Sequence, residues 1–328
     1  MCPHYPTLNE KPAPHFLQRG PQVNPWRLIT ICLLLAASPG LAGVISPNLD
    51  DLMADLDDQD QIKVLVVLNE QAPIAEMDRQ MHLSKATLAV RHKAVISTLQ
   101  ETAYSSQKDL LSALASEKAR GGIKGFTSHW IINAIVVQGT VEAIRNLASH
   151  PQIRAIEPDL VTELIEPVMQ KPAQLSTDKD RSGFVAPGVL TIGADRVWHE
   201  LGIDGTGTLV ANMDSGVDVS HPALGPRWRG HSSPAGSAWQ DFGDVGSPTM
   251  PFDVVGHGTH VMGTITGSTA FDTVGVAPGA EWIATNPVAA SIANFDNAII
   301  AGFEWMADPD GNPDTTDDVP DVCHNSWG

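Results

Sequence analysis

Hydrophobic and polar positions change period several times along the chain, and each change predicts an element. The first block is continuous: Leu28 to Ala37 carries no charge, follows Arg19 and Arg27, and is succeeded by Gly40 and Ala42. It is too short to cross a bilayer. Its flanks fit a secretory signal cut after Ala42, with a buried core helix as the alternative, so residues 1–42 are expected to be a signal-peptide region. Ile62 to Leu68 is a β-branched run bounded by polar residues and predicts a buried strand. Leu88, Val95, Leu99, Ala103, Leu110 and Leu114 then recur at helical spacing, which predicts one long helix or two shorter ones stopped at Gly121 and Gly122. Ile123 to Thr127 and Ala134 to Val137 read as strands, Val141 to Ala148 as a helix capped by Thr140, and Ile153 to Leu164 as a last strand. The order β, α, β, β, α, β is that of a ferredoxin-like α+β unit with its core at residues 62–163.

Periodicity lapses between Glu166 and Pro187, where prolines alternate with charges, and this stretch is expected to be an exposed linker. Beyond it strands and helices alternate: Thr208 to Met213, a helix after Gly256, Trp282 to Thr285, a helix near Asn294 to Met306, and a strand starting within Asp321 to Trp327. That alternation predicts a parallel sheet of the α/β class. In the last helix Ile292, Phe295, Ile299, Phe303 and Met306 are spaced to face the sheet.

Composition adds a constraint on partners. The 328 residues carry a net charge of -18, and residues 186–328 hold 15 Asp and 3 Glu against 3 Arg and no Lys. Such acidity repels nucleic acid and anionic membrane surfaces, so neither is an expected partner, and no stable membrane span is expected. Of three cysteines, Cys2 and Cys32 would leave with the signal, so an exported chain would keep only Cys323 and form no internal disulfide.

Two segments can carry chemistry. Asp214 lies in Met213-Asp214-Ser215-Gly216, where an apolar strand ends and where functional groups of open α/β sheets gather. An isolated Asp before Ser and Gly is also a common turn cap. His257 lies in Gly256-His257-Gly258-Thr259-His260, opening a helix, where an imidazole can exchange a proton near neutral pH or serve as a structural hydrogen-bonding residue. His260, one turn deeper, reads as structural. A zinc arrangement of Asp214, His257 and His260 is disfavoured, because helical zinc hydrolases show H-E-x-x-H and no Glu stands between these histidines. Asp308, Asp310, Asn312 and Asp314 alternate like oxygen ligands, but Pro313 and Val319 occupy the glycine and final glutamate positions of an EF-hand, and a solvated acidic loop is the expected reading. Gly202, Gly205 and Gly207 precede their strand instead of following it, so they predict no dinucleotide loop. Cys323 and His324 are strand neighbours and should point to opposite faces.

The Asp214 and His257 motifs, in this order, resemble those of the subtilase family of serine proteases, and from Val189 onward the chain looks most like its bacillopeptidase F group. Gly275 to Ala280, Glu304-Trp305-Met306 and Asn325-Ser326-Trp327-Gly328 extend the likeness. The resemblance implies a partial subtilisin-like peptidase domain over residues 188–328, with Asp214 and His257 as two members of an Asp-His-Ser triad. Ser326, Trp327 and Gly328 would form a wall of the cleft for a peptide or protein substrate. Residues 43–165 resemble the family's inhibitory propeptide, which would bind its own peptidase domain, and residues 166–187 would be the processing region. The family's chemistry requires no cofactor, although structural calcium is common in it. The family's serine has no counterpart in these residues, so the expectation is a secreted protease precursor whose 328 residues alone do not hydrolyse peptides. The alternative is a secreted inhibitor or folding module carrying a vestigial protease half.

Overall fold

The computed structural model describes residues 43–159, 183–243, 246, 249–289 and 295–327. The signal-like run, most of the linker, Ile292 and Gly328 lie outside these residues. The N-terminal elements are β1 (Val44–Ile45), α1 (Pro47–Ala54), β2 (Gln61–Leu68), α2 (Ile74–Leu83), α3 (Leu88–Arg120), β3 (Ile123–His129), β4 (Ala134–Thr140), α4 (Val141–Leu147) and β5 (Ile153–Pro158). Their strands order as β1-β5-β2-β4-β3, antiparallel except for the β1–β5 pair. Omitting the short β1, this is the order a split β-α-β unit produces.

Sequence explains the packing. Val64, Val66 and Leu68 alternate inward along β2, where they meet Leu49 and Met53 of α1, Leu110 and Leu114 of α3, and Ile144 of α4. Each such side chain, fully buried, contributes about 1.5–3 kcal/mol. Thr140 caps α4 as predicted, its hydroxyl accepting from the Ala143 amide at 3.2 Å. The helical face predicted from Leu88 to Leu114 is only partly buried: Ala103, Leu110 and Leu114 pack, while Leu88 is 68% exposed. The reason is length, since 33 residues of helix extend about 50 Å and overhang a sheet of seven- and eight-residue strands. The intervening helix α2, which buries no residue, was not signalled by periodicity.

The second half contains β6 (Phe184–Val185), α5 (Pro187–Ile192), α6 (Ala194–Arg196), β7 (Leu209–Met213), β8 (Trp239–Gln240), α7 (His257–Thr266), β9 (Asp272–Thr273), β10 (Glu281–Thr285), α8 (Phe295–Ala307) and β11 (Val322–His324). Strands β11-β7-β10-β8 form a wholly parallel sheet, which makes this half α/β, and β6 pairs with β9 in a small separate sheet. Phe184 and Val185, at the end of the proline-rich stretch, are thus paired backbone. All five residues of β7 are buried, as in strands covered on both faces, and Asn212 is the polar exception. Ile299 and Met306 of α8 are buried as their spacing predicts.

The halves meet along α8 and the loop after it. Glu304 accepts from the backbone amides of Trp130 and Ile131, the latter at 3.3 Å, and lies 3.2 Å from His129 Nδ1. His129 Nε2 lies 3.0 Å from Asn297 Oδ1, His92 Nε2 donates to the Ala307 carbonyl at 2.9 Å, and Lys93 pairs with Asp314 at 2.5 Å.

Candidate active site

Strand β7 ends at Met213, and the next residue, Asp214, is fully buried. Its backbone amide donates to the Thr285 carbonyl at 3.2 Å, which fixes it against the end of β10. Helix α7 opens with His257, whose Nδ1–H donates to Asp214 Oδ1 at 2.7 Å; the side chains are 8% and 0% exposed respectively. The two residues singled out from sequence are therefore joined by a short bond shielded from water, at the carboxyl end of a parallel strand. In that geometry the carboxylate selects the imidazole tautomer protonated at Nδ1, leaving Nε2 as the basic nitrogen.

Close approach of helix and strand depends on two glycines. A Cβ on Gly258 would lie 2.1 Å from the Gly216 carbonyl oxygen and 3.1 Å from Asp214 Cβ. One on Gly216, whose φ is +108°, would lie 2.0 Å from the Phe252 carbonyl oxygen. The backbone of α7 can therefore touch the Asp214 turn because Gly258 has no side chain, and the Phe252 loop can close on that turn because Gly216 has none.

A third residue, which motif reasoning missed, ties the motifs together. Asp253 Oδ1 accepts from Ser215 Oγ at 2.8 Å and from the Val255 and Gly256 amides at 3.0 and 2.8 Å. Its Oδ2 accepts from the Thr259 amide at 2.8 Å and from Thr259 Oγ1 at 2.6 Å. Ser215 Oγ in turn accepts from the Gly258 amide at 3.0 Å, and Asn212 Nδ2 donates to the Gly258 carbonyl at 3.1 Å. Burial pushes the Asp253 carboxyl up, but the hydrogen bonds from Thr259, Gly256 and Val255 outweigh it and hold the group below the ordinary carboxylate range. The available sequence signal was an Asp four residues before the histidine, a weak pattern until the loop closes.

Trp327 lies at the same strand end, its indole N–H donating to the Met213 carbonyl at 2.8 Å and its ring 6.4 Å from that of Phe303. Ser326 Oγ is 2.7 Å from His324 Nε2. Trp327 thus stands beside the Asp214 turn, with the half-buried Ser326 preceding it in the chain, while Gly328 lies outside the described residues. His260 is exposed on α7. Cys323 directs its sulfur to Met306 Sδ at 3.0 Å, away from the His324–Ser326 contact, and burial pushes its thiol up to about 11 against a smaller lowering by Asn325.

Residues 205–328 match the family model described as the Subtilase family. Bacillopeptidase F of Bacillus subtilis is 36% identical over 252 residues, covering 73% of this chain and 17% of that protein. Subtilisin E of the same organism is 29% identical over 205 residues, covering 60% of this chain and 46% of its own length. The chain thus spans from about a sixth to about half the length of these relatives. A crystal structure of fervidolysin from Fervidobacterium pennivorans superposes with a TM-score of 0.49 at 21% identity, covering 89% of this chain and 38% of that one.

Proposed function

Residues 205–328 belong to the subtilase family, and from that premise we propose that they supply the Asp–His half of a serine-type endopeptidase site acting on peptide bonds. The observation that carries this reading is the 2.7 Å bond from His257 to the buried Asp214. His257 Nε2 takes the proton of a serine hydroxyl as its oxygen attacks the peptide carbonyl, and Asp214 stabilises the imidazolium that forms. The proton then passes to the departing amine, leaving an acyl-enzyme that water hydrolyses by the same route in reverse. Ser326 and Trp327, the latter beside the Asp214 turn, would form part of the surface along which an extended substrate pairs.

The N-terminal α+β unit would act as an inhibitory propeptide. Its contacts with α8 through His129, Trp130 and Ile131 support this, as does an alignment with bacillopeptidase F longer than the segment matched to the subtilase family. Export is the companion proposal, resting on the apolar run at Leu28 to Ala37; among the described residues no helix is long and apolar enough to cross a membrane.

The test is hydrolysis of a chromogenic peptide by a polypeptide that continues these residues through a serine motif. His257→Ala and Asp214→Asn are each expected to lower kcat/KM by about 10⁴-fold or more, because triad members act as a unit. Activity retained in either variant would overturn the assignment. On the 328 residues alone, the expected result is no turnover, together with a far-downfield imidazole proton resonance that disappears in Asp214→Ala.

A further inference from the structure

Asp308 follows the last residue of α8, and its residue surface is 7% exposed. Neither of its carboxylate oxygens has a hydrogen-bond partner, nor does Oδ1 of Asp318, a residue also 7% exposed. The acidic loop is therefore not simply solvated, as its sequence suggested. Three carboxylates, from Asp308, Asp310 and Asp318, each place an oxygen within 4.8 Å of the others. Asn312 and Asp314, the other members of the alternating pattern, are otherwise engaged: Asn312 Oδ1 accepts from the Asp314 amide at 3.3 Å, and Asp314 pairs with Lys93.

This arrangement is unfavourable for the protein alone. Buried carboxylate oxygens without donors, both of Asp308 and one of Asp318, lose hydration that nothing replaces, and the repulsion between the carboxylates adds to the cost. The position at the carboxyl end of a helix, where the dipole is negative, makes it worse. Burial pushes both Asp308 and Asp318 up from the ordinary carboxylate range, and neighbouring carboxylates push in the same direction. His92 on α3 acts on Asp308 in the opposite direction, and one charge does not balance three.

We propose that Asp308, Asp310 and Asp318 form a calcium site that fastens the loop between α8 and β11. Calcium accepts six to eight oxygens at about 2.3–2.6 Å, so any two of its ligands stand no more than about 5 Å apart, and these three oxygens, all within 4.8 Å of one another, meet that limit. The loop is already shaped for it. Asp318 Oδ2 accepts from the Asp310 amide at 2.8 Å, and Asp310 is held by the Asn312 amide and Thr315 Oγ1, both at 2.8 Å. Each of these oxygens retains a lone pair for a cation.

The site is tested by calorimetric titration of the chelator-treated 328-residue chain with calcium chloride, alongside thermal unfolding with calcium or magnesium. One calcium per chain is expected at a Kd of about 10⁻⁵ to 10⁻³ M, with Tm raised by several degrees and a weaker response to magnesium. Asp308→Asn and Asp318→Asn should each weaken binding by about tenfold or more. Should either variant fail to fold, Asp310→Asn, exposed and still able to accept its loop bonds through the amide oxygen, should show the same loss. No heat and no Tm shift up to about 10 mM calcium would overturn the proposal, as would unchanged binding in the variants or an equal response to magnesium.

Discussion

Five hydrogen bonds converge on Asp253, from Ser215, Val255, Gly256 and Thr259. Its carboxyl is held low in the folded chain, so it favours the native state above the unfolded carboxyl's titration, and that contribution disappears as pH falls through the folded value. Asp253→Asn is therefore expected to cost about 2 kcal/mol near neutral pH, with the difference from the parent shrinking below about pH 4; chemical denaturation at a series of pH values measures it. Cys323 gives a second expectation of this kind. The residue is exposed, but with its thiol pushed up to about 11 little thiolate exists at pH 8, so in a chain lacking Cys2 and Cys32 a disulfide reagent should react more slowly with the native protein than after denaturation.

Helix α7 packs against the turn that follows β7 with no room for a Cβ at Gly258, so Gly258→Ala should force the helix back and lengthen the His257–Asp214 bond. The expected outcome is loss of the downfield imidazole resonance while far-ultraviolet dichroism is kept. At the opposite end of the chain, Thr140→Ala should destabilise α4 by about 1 kcal/mol, read from the denaturation midpoint. These elements were legible beforehand because each is locally determined: Thr140 precedes an apolar helical face, and Leu209 to Met213 is an unbroken apolar run but for Asn212. The Asp214 and His257 motifs were equally plain. Asp253 was not, since its meaning depends on a loop whose closure only the fold reveals. Leu88 misled because helical periodicity states which side faces inward but not where the opposing surface stops. The acidic loop read as solvated because its alternating residues fit no EF-hand, and only the fold shows that Asp318, ten residues from Asp308, curls back to it and that both are buried.

At the scale of the molecule, Glu304 joins the two halves, receiving two backbone amides and contacting His129. Glu304→Ala strands those donors, at a cost of about 1–3 kcal/mol, and should speed proteolytic separation of the N-terminal unit in a timed digestion. Strand β7 has a further consequence. Its partners β10 and β11 both come later in the chain, and Leu209 donates to Asp321 across a separation of 112 residues. The N-terminal sheet, by contrast, is finished by β5, before β7 has been made. During synthesis the first unit can therefore be complete while the strand leading into Asp214 still has no neighbours, and closing so distant a contact is slow. The ribosome thus delivers a finished surface first and the slow-folding sheet second, so the order of translation itself gives α8 something to fold against.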